Sequence, residues 1–146
     1  MTLQNLLAIQ SLVAFAAQRE DIQRLLGAAE RNLHDSNITA ISDENRFDAA
    51  YKCIMQCAMA ALWANGYRTS TSKPGHHQTA IQTLSLTVAL DPQSIVVLDK
   101  LRKQRNVSDY DGSPIAPGVG EECQRQAQAL LKHLTTWLKI HRPGFC

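Results

Sequence analysis

Lys100-Leu101-Arg102-Lys103-Gln104-Arg105-Asn106-Val107-Ser108-Asp109-Tyr110-Asp111 is the stretch from which both architecture and chemistry are read. Counting into it, Ile95, Leu98, Arg102, Arg105 and Asp109 recur at steps of three or four, so they share one helical face. That face begins apolar and ends in Arg, Arg and Asp. A helix that only packs keeps its apolar face to the end. The change of character points to a helix end that opens into a polar site. Asp91-Pro92 marks where this helix starts, with Asp as N-cap and Pro at the first helical position. Asp111-Gly112-Ser113-Pro114 through Gly120 reads as a loop.

The same helical spacing extends in both directions. Residues 2–17 carry Leu3, Leu6, Leu7, Ile9, Leu12, Val13 and Phe15 and read as helix. A second pattern runs from Arg19 to Asp35 through Ile22, Leu25, Leu26, Ala29 and Leu33, and no Gly or Pro separates the two. Ser42 caps a third, with Phe47, Tyr51, Ile54 and Ala58 as its stripe and Asn65-Gly66 as its stop. Tyr67 to Gly75 reads as a polar loop. His77, Ile81, Leu84 and Val88 then share a face, which puts a histidine on an apolar side. Glu121 and Glu122 open the last helix, with Cys123, Ala127, Leu130, Leu134 and Leu138 inward and Arg142-Pro143-Gly144 at its end. No segment sustains period-two alternation. The expected fold is all-α, an antiparallel up-and-down bundle over 18–142 with residues 1–17 as a helical extension, in one domain.

Bulk numbers narrow the function classes. A chain of 146 residues, 45% apolar and 19% charged, buries a proper core without staples. A net charge of +2 gives no global field for nucleic acid, so any such binding needs a local patch. Cys53 and Cys57 are four apart with no partner pair, so the cysteines read as reduced thiols and no metal site or cofactor is expected. There is no signal-peptide pattern and no apolar run of spanning length. The expectation is a soluble cytoplasmic protein.

Two stretches, in this order, resemble the HEPN superfamily (higher eukaryote and prokaryote nucleotide-binding domains). One is Arg46-Phe47-Asp48-Ala49-Ala50-Tyr51 with Cys57-Ala58-Met59-Ala60-Ala61-Leu62 and Gly66-Tyr67-Arg68. The other is Arg105-Asn106-Val107-Ser108-Asp109-Tyr110-Asp111, similar to the RNxxDYD signature of one HEPN branch, as is Gly75-His76-His77. The resemblance covers roughly residues 19–141. It implies a four-helix core, a homodimer with the motifs facing a shared cleft, and metal-independent RNA cleavage in toxin–antitoxin or defence systems. It also implies an antitoxin or a nucleotidyltransferase-type protein as partner. Most members carry a histidine separated from the arginine by four to six intervening residues. Here that window holds Tyr110, Asp111 and Gly112.

Cleaving RNA without metal takes a base for the 2′-OH, an acid for the leaving oxygen and positive charge for the phosphorane. Arg105 suits a phosphate clamp, and Lys100, Arg102 and Lys103 add positive charge for nucleic acid. Asp109 accepts a proton or orients Arg105, although a carboxylate beside an arginine stays ionised and is a weak base. Tyr110 donates a hydrogen bond or stacks on a base, and Asn106 completes the site. His77 is the better base if the fold brings it near Arg105. Each has a purely structural counterpart: an i, i+4 ion pair for Arg105 and Asp109, a core-edge aromatic for Tyr110, a satisfied core histidine for His77. Two alternatives stand beside cleavage: a non-catalytic nucleotide- or RNA-binding module, and a helical protein–protein interaction domain that docks through residues 1–17.

Overall fold

The computed structural model describes residues 1–146. In chain order it contains α1 (Leu3–Ala8), β1 (Leu12–Ala14), α2 (Arg19–Ser36), α3 (Asp43–Ala64), β2 (Tyr67–Thr69), α4 (His76–Gln82), α5 (Leu84–Thr87), α6 (Pro92–Asp111) and α7 (Pro117–His141), closed by a 3₁₀ turn at Pro143–Phe145. Helix α3 is the central post. The Ser42 hydroxyl accepts the Asn45 N–H at 3.1 Å to cap it, and Asp43 and Glu44 put negative charge at the positive end of its dipole. From Phe47 to Ala61 it is buried on several sides, with Ala50, Cys53, Cys57, Ala58, Ala60 and Ala61 fully enclosed. Those small side chains let α2 and α7 approach closely, and one continuous core of 32 buried residues forms around them.

Named contacts fix the helix directions. Cys123 Sγ, near the start of α7, donates to Phe47 O near the start of α3, at 3.8 Å. Arg142 Nε, just past the end of α7, donates to Ala64 O at the end of α3, at 3.3 Å. Helices α3 and α7 therefore run parallel. Helix α2 runs against both, because Arg46 and Gln124 each donate to Ser36 O at its far end. Helix α6 runs against α3, since Arg105 near its end reaches Asp48 near the start of α3. The protein is an all-α, up-and-down bundle, and no helix is long and apolar enough to cross a membrane.

Four local expectations are corrected. Residues 2–17 do not form one helix. Helix α1 stops at Ala8, Gln10 turns the chain with φ 65°, and β1 pairs antiparallel with β2, Leu12 opposite Thr69 and Ala14 opposite Tyr67. The stretch read as a polar loop thus gives three residues to a sheet. The face His77–Val88 is not one helix either. It breaks at Thr83, whose hydroxyl donates to Ala80 O at 3.0 Å while the Thr87 hydroxyl donates to Thr83 O at 3.2 Å. Such side chain-to-backbone bonds compete with a regular ladder. Last, α7 opens at Pro117 rather than at Glu121, with proline at its first position where a missing N–H costs nothing.

Candidate functional site

The end of α6 closes against the start of α3. On α3, Glu44, Asp48 and Lys52 recur at steps of four and form a polar row on an otherwise buried helix. Opposite them stands Arg105. Its Nε lies 3.2 Å from Asp109 Oδ2 and 3.6 Å from Asp48 Oδ1, and Asp48 is also 3.4 Å from Lys52 Nζ. The guanidinium sits over the Tyr51 ring, 5.2 Å from its centroid. Ring and carboxylates hold the group in place electrostatically, yet the Arg105 Nε–H is buried without a hydrogen-bond partner. Glu44, Asp48, Lys52, Arg105 and Asp109 line a cleft of about 340 Å³.

Tyr51 ties a second group to this cation. Its hydroxyl lies 3.3 Å from His77 Nδ1, with the rings 6.0 Å apart. Burial pushes the Tyr51 hydroxyl up to about 12, against the downward pull of Arg105 and Arg102. It stays protonated at neutral pH. His77 is half-buried, and burial first, then the charges of His76, Arg105 and Arg102, hold its pKa below the ordinary 6.5. The imidazole is therefore neutral at pH 7 and able to take a proton.

The charges in the cleft oppose one another. Glu44, Asp48 and Asp109 stand against Lys52 and Arg105, a net charge of −1. Unit charges 4 Å apart interact by about 4 kcal/mol at the effective dielectric of a protein surface, and about 1 kcal/mol in water. Two carboxylates beside Arg105 thus offset much of what the guanidinium offers a phosphate. The individual ion pairs, partly exposed, stabilise the fold by at most about 1 kcal/mol each.

Of the sequence-derived candidates, Arg105, Asp109 and His77 come together, the last through Tyr51. Asn106 and Tyr110 do not line the cleft. Tyr110 is 95% exposed, so it is neither a core-edge aromatic nor a cleft wall. Lys100 and Lys103 turn away to a separate depression of about 380 Å³ shared with Gln82 and Val96. Arg102 is held at 2.9 Å by Asp99, which also pairs with Lys103 at 3.4 Å. Lys100 and Lys103 therefore add no positive charge beside Arg105, since five and two residues along a helix are about 140° and 160° of rotation, whereas Arg102, on the same face, stays close enough to act on Tyr51 and His77. Asp48, Tyr51 and Lys52 were the missed members. The row Glu44–Asp48–Lys52 carries the signal for Asp48 and Lys52, whereas Tyr51 lies in the apolar stripe. The thiols of Cys53, Cys57 and Cys123 are free and buried in the core, and that of Cys146 is free and exposed. No family model, no curated protein and no solved structure matches the chain.

Proposed function

We propose that the protein is a HEPN-like RNA-binding protein that cleaves RNA without metal at the Arg105 cleft, in a toxin–antitoxin or defence setting. The observation that carries this reading is the linked set Arg105–Tyr51–His77, in which Tyr51 bridges a cation with an unpaired N–H and an imidazole. In this reading Arg105 holds the strand and stabilises the phosphorane, His77 takes the 2′-OH proton as the 2′-oxygen bonds to phosphorus, and the P–O5′ bond breaks with the departing 5′-oxygen taking a proton from water. Asp48 and Asp109 orient the guanidinium. The setting is cytoplasmic, with an antitoxin or nucleotidyltransferase-type protein as partner, and a homodimer brings two such clefts to a shared surface.

The test is single-stranded RNA incubated with protein in chelator. Fragments with 2′,3′-cyclic phosphate ends, lost in Arg105→Ala and His77→Ala, are expected; intact RNA at high protein concentration sinks the catalytic reading. A second reading, a non-catalytic nucleotide- or RNA-binding module, is favoured by the carboxylates that neutralise Arg105. It predicts saturable binding without turnover.

A further inference from the structure

Helix α6 is apolar on two sides, and the bundle covers one of them. Ile95, Leu98 and Leu101 face the core and are buried. On the opposite side Val96, Lys100, Lys103, Val107 and Tyr110 follow one another at steps of four, three, four and three. At about 100° per residue that spacing keeps all five within an arc of about 80°, a seam about 21 Å long. All five are exposed, Val96 at 54%, Val107 at 51% and Tyr110 almost wholly. Alternating steps of four and three are the spacing by which one helix receives another. A helix that met only its own bundle would keep this side polar.

The middle of the seam sets the chemistry of what covers it. Lys100, Arg102 and Lys103 stand there against one carboxylate, Asp99, which Arg102 holds at 2.9 Å and Lys103 at 3.4 Å; three positive charges and one negative leave +2. A depression of about 380 Å³ between Gln82 of α4 and Val96, Lys100 and Lys103 leaves room for a partner side chain. A second copy of this chain laid along the seam brings lysine against lysine in either direction, which is repulsive. An RNA strand meets the lysines through its phosphates but leaves Val96 and Val107 in water. We infer that this face of α6 docks an amphipathic helix of another protein, with apolar residues over Val96, Val107 and Tyr110 and carboxylates over Lys100 and Lys103. The Arg105 cleft lies on the opposite side of the helix, so this surface stands whether or not the cleft cleaves RNA.

Two labelled helical peptides, each about three heptads long, test this against the full chain by fluorescence anisotropy. Both carry leucine along one seam, except that the two central seam positions are glutamate in one peptide and lysine in the other. The glutamate peptide should bind at least tenfold tighter than the lysine peptide. Val107→Lys, at an exposed position that leaves the fold intact by circular dichroism, should weaken it at least tenfold. The double variant Lys100→Glu/Lys103→Glu should reverse the preference, which loss of folding cannot do. Equal affinity for the two peptides overturns the inference, as does binding unchanged in Val107→Lys or no binding of either peptide. Polyuridylate that displaces the glutamate peptide, and whose own binding is lost in the double variant but unchanged in Val107→Lys, gives the lysines to RNA and overturns it. A dimer in sedimentation that dissociates in Val107→Lys gives the seam to a second copy and overturns it as well.

Discussion

At the residue scale the centre is Arg105, a side chain that touches much and bonds little. Its contacts are an aromatic face and two partly exposed carboxylates, each worth about 1 kcal/mol or less. Arg105→Ala should therefore shift unfolding free energy in urea by no more than about 1–2 kcal/mol, while nucleotide or RNA affinity falls at least tenfold. A collapse of stability in that variant would mark Arg105 as a structural brace. His77 supplies a second expectation. Its folded pKa lies below the ordinary 6.5, so the unfolded chain takes the proton first. Its contribution to stability is thus full above about pH 6.5 and is lost as pH falls below that value toward the lower folded one. His77→Gln should flatten this acid limb in a series of urea titrations between pH 7 and pH 5, and an unchanged limb would assign it to other groups. If His77 is the base, cleavage falls over the same acid range.

At the element scale the N-terminal segment matters most. Read from sequence it is an apolar helix free to dock on the domain or on a partner. In the fold it is a clasp: Leu6 and Leu12 enter the core, β1 pairs with β2, and Phe15 packs edge-on against Trp63 with centroids 4.9 Å apart. Leu12 is completely buried, so Leu12→Ala should cost about 2–5 kcal/mol through lost burial and a residual cavity. A thermal melt with no shift in Tm would return the segment to the role of a detachable docking arm. The paired strands are only three residues long, so the side chains rather than the ladder hold the clasp closed.

At the scale of the whole molecule, α3 is enclosed because its small residues admit α2 and α7 to close range. That closeness is also a constraint. Ala58 has no exposed surface, and Ala58→Leu should push the packed helices apart at a cost of about 1–3 kcal/mol, read as a lower urea midpoint. Tolerance of the leucine would show a looser bundle than the burial describes. The same packing sets the site, since Arg105 and Asp48 face each other only while α6 runs against α3.

The sequence by itself determined what is local. Helix periods, the caps at Ser42 and Asp91, the stop at Asn65-Gly66 and the i, i+4 pairing of Arg105 with Asp109 all depend on neighbours within a turn or two. The all-α bundle followed from those. Only the tertiary structure decided what depends on distant partners. Three-residue strands have no periodicity to read, and β1 exists because Gly66 and Tyr67–Thr69 arrive beside it to take its hydrogen bonds. Tyr51 read as stripe and His77 as a histidine on an apolar side, until packing set one against the other and both beside Arg105. Lys100 and Lys103 looked adjacent to Arg105 in sequence, yet the helical twist carries them to another face.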